Sequence, residues 1–560
     1  MRKELRIFPC VFGKFVIAQK SSFLKLRSVK FLPFIFFVSA LCVPSQTLFA
    51  DAIKIDPVLN GESQIGREWL EPDIVRQDLE RQISEALPTP DPKSVDAFLK
   101  TREHRLLLAR WYFLHSVGSE AIIENLKKLT DRRIIFQFMS DPAWIEGYLY
   151  TAEPQNADKF LEFLLAIAKK DPEMPKDAML RKIATATAGE YSRNDWRRDE
   201  PKYAVQRYEF FRDSWRDGKL NTLFDDLLYW DMRVVCGWKG NNDFGNYESL
   251  VWARDNVKLS ESGYGGGEIH QLYYRLWNKA GDSIHGSNYY EPFRKYFTRG
   301  GKNVNMQAMA YQIGAVCGGI SHYGATGAVA NGIPGLTMGE PGHCAFATRV
   351  NGVWRSNNSI SFRRGLHWTL LGERTWAFLP LMQELFENVP TTTQSFRKAA
   401  LAKFFDLRKN RKAAASLYAQ ALATQPLNYI VWRDYSGYAK AQNAKVGTWM
   451  KMHGKIIETF AKKYPDVCAT ALQKLVYPTL LPLVKTDAEK IALFGKFFTE
   501  VETQGPASWA MEDFWDFQCG KISAGAKGKF VETGKSAFKG KKDYEKIFSD
   551  WASGNPRKKE

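Results

Sequence analysis

Apolar residues recur at helical spacing along most of the chain, and they follow strand spacing in one short central stretch. The amphipathic runs 94–117 and 156–170 place apolar residues three and four apart, and Asp-Pro and Glu-Pro pairs interrupt the pattern. Residues 51–188 are therefore predicted to be a helical region that serves as scaffold. Residues 189–299 are rich in Trp, Tyr and Arg, and we expect helices there that pack beside the central stretch.

The central stretch predicts a β-hairpin. Residues 343–350 and 353–358 flank the dipeptide Asn351-Gly352, which suits the positive φ angles of a two-residue type I′ turn. Such a turn makes the two valines that flank it a directly opposed pair. The length of the turn then fixes every other pair of the hairpin.

Pairing in this hairpin distinguishes two neighbouring asparagines. Counting outward from the turn pairs Ala345 with Asn358 and places Asn357 on the other face. Opposed residues share a face, as do residues two apart on one strand, so His343 and Asn358 are predicted to be diagonal neighbours. A turn of three residues would reverse this parity and select Asn357 or Ser359 instead.

A helix is predicted just before the hairpin. Cys317 opens a segment of small residues that ends at the breaker sequence 331–334, Asn-Gly-Ile-Pro. The cysteine then lies at the helix N-terminus, where unpaired N–H groups and the helix dipole stabilise a thiolate, the nucleophilic form. His322 and Tyr323 follow on the same helix, where they pack against the fold or line the cleft.

These residues suggest the parts of a thiol active site. Cys317 is the candidate nucleophile, His343 the candidate base and acid, and Asn358 the candidate residue that orients the imidazole. Gln312, five residues before the cysteine, is a candidate donor to an oxyanion, as is the backbone N–H of Cys317.

The order and spacing of these residues resemble the transglutaminase-like superfamily of papain-type thiol enzymes, over roughly residues 309–362. The family's Gly-Ile-Pro before the histidine strand appears as residues 332–334, and its Trp four residues before the acid appears as Trp354. Two positions depart from the family: its usual aromatic residue two after the histidine is Ala345, and its usual Asp is Asn358. An amide still accepts the imidazole N–H but adds no charge to stabilise an imidazolium.

The resemblance, to bacterial exported proteins of this type, implies an α+β fold. Its core would hold a helix-borne cysteine and an antiparallel sheet, and helical regions would flank it on both sides. The predicted segments are 1–50, a signal peptide; 51–188, helical; 189–394, transglutaminase-like; 395–510, tetratricopeptide-like; and 511–560, a basic C-terminal tail.

The resemblance also implies acyl transfer at amide bonds of peptides or proteins. The acyl group would pass to water, as in a peptidase or amidase, or to an amine, as in a cross-linking transglutaminase, and hydrolysis is slightly favoured. The alternative is a non-catalytic scaffold that keeps the fold and binds a protein or polymer of the cell envelope.

Residues 395–444 carry a helix-pair pattern that resembles a tetratricopeptide unit. Its signature positions are Leu401, Phe405, Ala414, Tyr418, Ala421 and Pro426. An array of such units would offer a surface to a peptide or protein partner. A chance amphipathic helix pair is the competing interpretation.

Length and charge set wider limits. A chain of 560 residues predicts about three domains. Residues 1–50 combine a basic lead, a short apolar run and small residues at a cleavage position, which predicts export and a soluble periplasmic or extracellular protein after cleavage. Leu41 before Cys42 disfavours lipidation.

The C-terminal segment is basic. From residue 521 to the end there are eleven Lys or Arg against five acids, which is typical of a solvated tail. Contact with an acidic envelope polymer or a membrane surface is the second interpretation. Nucleic acid is not an expected partner of an exported chain.

Five cysteines remain beyond the predicted signal peptide: Cys236, Cys317, Cys344, Cys468 and Cys519. A Cys317–Cys344 disulfide is one interpretation, but strand alternation next to His343 predicts that Cys344 faces away from Cys317. No metal-ligand spacing is present, and no metal or cofactor is expected. Glycines 263 and 265–267 lack the lysine of a phosphate-binding loop, so they predict a flexible loop.

Overall fold

Asp-Pro pairs begin helices in this protein. In the computed structural model, the Asp91 and Asp141 carboxylates each accept hydrogen bonds from two backbone N–H groups of the helix that follows, and proline takes the first helical position. The structure describes residues 72–116, 129–150, 157–192, 200–237, 246–257, 298–299, 303–315, 317–340, 343–357, 376–503 and 508–553. The predicted signal peptide and the glycine-rich loop at 263–267 lie outside these residues.

Ten helices precede the sheet region in the described residues: α1 Pro72–Ala86, α2 Pro92–Lys100, α3 Arg102–Ser116, α4 Leu129–Met139, α5 Pro142–Leu149, α6 Ala157–Lys170, α7 Ala178–Ser192, α8 Pro201–Arg216, α9 Tyr229–Gly237 and α10 Tyr247–Asn256. The central region holds the short pair β1 Thr298–Arg299 and β2 Asn303–Val304, helices α11 Met306–Ile313 and α12 Cys317–Ala330, and strands β3 Gly335–Glu340, β4 His343–Val350 and β5 Val353–Asn357.

The remaining helices are α13 Phe378–Glu387, α14 Val389–Leu407, α15 Arg411–Thr424, α16 Tyr429–Ala441, α17 Val446–Phe460, α18 Pro465–Ala471, α19 Tyr477–Leu483, α20 Asp487–Glu500, α21 Trp509–Cys519, α22 Lys527–Ala537 and α23 Lys542–Ala552. The chain is thus a mostly helical α+β protein with a small antiparallel sheet and helical regions on both sides.

The sheet has the order β3-β4-β5, and every pair is antiparallel. Asn351 and Gly352 have φ angles of 51° and 77°, so the predicted two-residue turn is present. Val350 pairs with Val353, and Phe346 pairs with Asn357, which is the predicted register.

Helix α12 packs on one face of this sheet because glycine lets the two elements approach closely. A Cβ placed on Gly324 would lie 2.5 Å from Cζ of the buried Phe346 ring. Farther along, a Cβ on Gly335 of β3 would lie 3.0 Å from the Ala325 carbonyl oxygen and from the Ala328 Cβ. The small residues of the predicted helix are therefore the means by which it reaches the sheet.

The opposite face of the sheet is covered by indole rings. Trp354 of β5 packs edge-on against Trp230 of α9, with 6.3 Å between ring centroids, and Trp230 stacks on Phe386 of α13 at 5.8 Å. The backbone N–H of Trp354 donates to Gln383 Oε1 at 3.0 Å. The sheet is thus held between α12 on one side and α9 with α13 on the other.

Helices α14 and α15 form the helix pair that the sequence predicts. A three-residue connection joins them, and Ser395 Oγ near the start of α14 donates to the Ala421 carbonyl near the end of α15 at 2.9 Å, so the helices run antiparallel. Four of the five apolar signature residues are nearly inaccessible, and Phe405 is 7% exposed. Whether the pair belongs to a tetratricopeptide family stays a prediction.

The N-terminal helices pack directly on this helix pair. Arg397 of α14 donates two hydrogen bonds of 2.7 Å to the Glu146 carboxylate of α5, and Phe404 meets Trp111 of α3 edge-on at 5.1 Å. Paired Arg–carboxylate bonds of this kind fix orientation as well as distance. The two helical regions therefore share a packed boundary, and residues 65–560 group into one compact unit.

The C-terminal segment is not a solvated tail. Helices α21, α22 and α23 pack around an aromatic cluster whose members include Phe530, Phe538 and Phe548, each at most 1% exposed. The lysines of this segment lie between these apolar positions on the outer faces of the helices, as the exposed Lys527, Lys529 and Lys546 illustrate. Charge count alone suggested a tail because it hides the helical spacing of the aromatic residues.

We predict that Gly324→Ala destabilises the protein. The added methyl group would meet the Phe346 ring, and overpacking of this kind costs about 1–3 kcal/mol, more than the helix propensity gained. The midpoint of urea unfolding should fall. The matched control is Gly318→Ala in the same helix, where a Cβ meets no atom within 4 Å and stability should hold or rise slightly. Equal effects from both variants would contradict this account of the helix–sheet contact.

Candidate active site

Cys317 is the first residue of α12, as predicted. Its thiol is half-buried, and the neighbouring Gly318 faces open space, since a Cβ there would meet nothing within 4 Å. The helix ends at Ala330 and is followed by Gly332 with a φ of 81°, which matches the predicted breaker. The thiol therefore lies at the positive end of a helix of 14 residues, beside open space at Gly318.

The side chain that meets the Cys317 thiol is that of Cys344. The two thiols lie within hydrogen-bonding reach, and the pKa of Cys344 is raised by its burial, by the charge of Cys317 and by that hydrogen bond. The expectation that Cys344 faces away from Cys317 is therefore wrong. Gly339, opposite Cys344 in β3, adds no side chain there.

Helix and strand periodicity agree with this contact. Gly324 and Cys317 are seven residues apart, which is two turns along one face of the helix. Phe346 and Cys344 are two residues apart, which is one step along one face of the strand. Since Gly324 contacts Phe346, Cys317 and Cys344 lie on the two faces that pack together, toward the starts of α12 and β4.

His343 is the first residue of β4 and is half-exposed. Strand alternation assigns it to the face of Ala345, Ala347 and Arg349, which is opposite the face that meets α12. The structure thus brings Cys344 into contact with Cys317. His343 lies next to Cys344 in the sequence, at the end of the strand.

The other two predicted site residues are Asn358 and Gln312. Asn358 lies outside the described residues, and its backbone neighbour Asn357 pairs with Phe346 as expected. Gln312 is exposed in the last turn of α11, and Gly314, with a φ of 82°, breaks the chain direction between it and Cys317. No oxyanion contact can be assigned to Gln312 from the described residues.

Tyr323 is buried, which agrees with a packing role in α12. Burial lowers the pKa of His322 to about 4, so its ring is neutral near pH 7. A neutral imidazole supplies no positive charge to a nearby thiolate. His322 is therefore not a replacement for His343 as the cationic partner of a Cys–His pair.

The hairpin that carries His343 is anchored by a buried ion pair. Arg349 Nη1 on β4 donates to Asp231 Oδ2 on α9 at 2.5 Å, and the Asp231 side chain is only 2% exposed. Burial raises the pKa of Asp231 to about 6, although the nearby Arg349 acts to lower it. The pair thus carries a desolvation cost that charge attraction offsets only in part.

Among the described residues, no group of three or more His, Cys, Asp or Glu side chains is arranged to hold a metal ion. In the same part of the chain, no helix has the length and apolar character needed to cross a bilayer. Comparison with known proteins found no match to any family model, curated protein or solved structure.

Sequence reasoning missed the Cys344 contact, although a signal for it was present. Phe346 is the one bulky apolar side chain in the strand 343–349, and a helix rich in small residues needs a bulky partner. Cys344 shares the face of Phe346, so it points toward the helix. The Asp231–Arg349 pair, whose partners are 118 positions apart in the sequence, left no comparable local signal.

We predict that the free energy of unfolding of the protein falls, compared with that of the Asp231→Asn variant, as the pH rises from about 4 to about 6. The folded protein keeps a proton on Asp231 in this interval, whereas the unfolded chain, with a carboxyl pKa near 3.8, has released it. The free energy of unfolding should decline by about 1–3 kcal/mol more than in the variant.

Urea unfolding midpoints across this pH interval measure the difference. Asp255→Asn, at an exposed aspartate beside Arg254, is the control for loss of one carboxylate. A difference between the protein and Asp231→Asn that stays constant with pH would contradict the assigned proton.

Proposed function

We propose that the protein is an exported, thiol-dependent enzyme that transfers acyl groups from amide bonds of peptides or proteins, with Cys317 as its nucleophile. The observation that carries the proposal is the position of Cys317: a half-exposed thiol on the first residue of a helix, beside open space at Gly318. Helix N-terminal N–H groups favour the thiolate and are also suitable donors to an oxyanion. The motif resemblance to transglutaminase-like proteins supports the same chemistry.

In the proposed reaction, the Cys317 thiolate attacks the amide carbonyl and His343 protonates the leaving amine. The acyl-enzyme then passes its acyl group to water or to a second amine, with His343 as the base. Asn358 is proposed to hold the imidazole. The half-exposed position of His343 at the strand end supports this role, because a ring there is less confined than one inside the strand. Hydrolysis is favoured slightly over cross-linking.

The second candidate is a non-catalytic scaffold that keeps a transglutaminase-like core and uses its helices to hold a partner. Strand alternation favours it, since this places His343 on the face opposite Cys317. A groove of about 580 Å³ between α17 and α20 also favours it. Its lining includes Met450, Ile457 and four lysines against two glutamates, which suits an acidic peptide or polymer.

We predict that iodoacetamide modifies Cys317 at pH 6 at least about tenfold faster than it modifies Cys519, which is also half-buried but lies at the end of α21 rather than at a helix start. His343→Ala should lower acylation by amide or activated-ester substrates by about 10²–10⁴-fold. Mass spectrometry of the reduced protein reports both the site of alkylation and the acyl adduct.

Cys317→Ala should abolish the acyl adduct, whereas Cys519→Ala should leave it unchanged. Adding an amine to the acylated protein distinguishes the acceptors, because a transamidase forms the amide product and a hydrolase does not. Equal labelling of the two cysteines, together with no effect of His343→Ala, would favour the scaffold over the enzyme.

A further inference from the structure

We propose that Cys317 and Cys344 form a reversible disulfide pair, in which Cys317 reacts first with a small disulfide and Cys344 resolves the mixed disulfide. The contact between the faces of α12 and β4 brings the two thiols within hydrogen-bonding reach of each other. The bond itself does not depend on the proposed function. Its consequence for catalysis does, since the bond would occupy the proposed nucleophile.

The surroundings of the pair allow the bond to close. A disulfide needs sulfur atoms about 2 Å apart, so hydrogen-bonded thiols must approach by a further 2 Å or so. Cys317 lies at the first position of its helix, and Gly339 stands opposite Cys344 in β3. Both side chains are half-buried rather than fully enclosed, so rotation of the side chains can supply most of this movement.

The two thiols differ in a way that assigns their order of reaction. Cys317 is the first residue of its helix, and Gly318 leaves space for a reagent beside it. Cys344 retains its proton, because burial and the neighbouring sulfur raise its pKa. Thiolates attack disulfides, so Cys317 is the first to react.

The reaction balances with a low-molecular-weight disulfide, RSSR, as the oxidant. The Cys317 thiolate attacks one sulfur of RSSR, forms Cys317–S–S–R and releases RS⁻, which takes up a proton. Cys344 then loses its proton, attacks the Cys317 sulfur and releases the second RS⁻. Two protein thiols are oxidised to one disulfide, one RSSR is reduced to two RSH, and excess RSH reverses the sequence.

The other described cysteines provide internal controls. Cys236 and Cys468 are fully buried, so a small disulfide does not reach them in the folded protein. Cys519 is half-buried on α21 and has no cysteine beside it among the described residues. It should therefore form only mixed disulfides, which makes Cys519→Ser the matched control.

The test treats the full chain with oxidised glutathione and locates the bond after cleavage. Trypsin releases residues 303–349 as one peptide that holds both cysteines, and cyanogen bromide cleaves it after Met306, Met309 and Met338. Cys317 then lies in fragment 310–338 and Cys344 in fragment 339–349. We expect these two fragments to stay joined until a reductant is added. Cys519→Ser should give the same result.

Cys344→Ser should accumulate glutathione on Cys317, because no thiol remains to resolve the mixed disulfide. Fragments that separate in the oxidised protein would overturn the proposal. A Cys344→Ser protein with no more glutathione on Cys317 than the unchanged chain would overturn it as well.

Acylation of Cys317 by substrate is the measurement that tests the proposed function separately from the disulfide proposal. If the disulfide forms but reduced Cys317 is never acylated by substrate, the enzyme proposal fails and the disulfide pair stands. If Cys317 is acylated but the fragments separate, the disulfide pair fails alone. If both hold, the oxidised protein should lose all acylation at Cys317 and regain it after reduction.

Discussion

The contact between Gly324 and Phe346 is the constraint on which the central region depends. A glycine in the middle of a helix lowers its stability because glycine has a low helix propensity. Here the missing side chain allows an aromatic ring of the sheet to lie against the helix backbone. That one approach sets the spacing and rotation of α12 on the sheet. It also determines which face of β4 packs against the start of α12, and therefore which side chain contacts Cys317.

Because of this packing, the surroundings of Cys317 differ from those in a simple Cys–His pair. A reactive neighbour of Cys317 is a second thiol with a raised pKa, and strand alternation assigns the adjacent His343 to the other face of the strand. The proposed thiol–disulfide exchange and the proposed acyl transfer would compete for the same sulfur atom. The two proposals therefore concern the same sulfur atom. An enzyme that uses Cys317 as its nucleophile would be inactivated when Cys317 is oxidised.

The remainder of the protein supports this centre from both sides. Indole rings and a buried Arg349–Asp231 pair fix the far face of the hairpin, and the N-terminal helices join the C-terminal ones through Arg397 and Glu146. Ion pairs of this kind contribute orientation more than net stability, because burying the charges costs much of what their attraction returns. The lysine-lined groove between α17 and α20 lies within the helical array.

The sequence by itself determined the local elements. Asn351-Gly352 set the turn and register of the hairpin, the small residues after Cys317 set α12, and the spacing around Leu401 and Tyr418 set a helix pair. Each of these depends on neighbours a few residues apart. The tertiary structure decided that Cys344 contacts Cys317, that the basic C-terminal segment folds around aromatic rings, and that Asp231 pairs with Arg349. These outcomes depend on which faces pack together, and packing is set by the shapes of surfaces far apart in the chain, which local spacing does not encode.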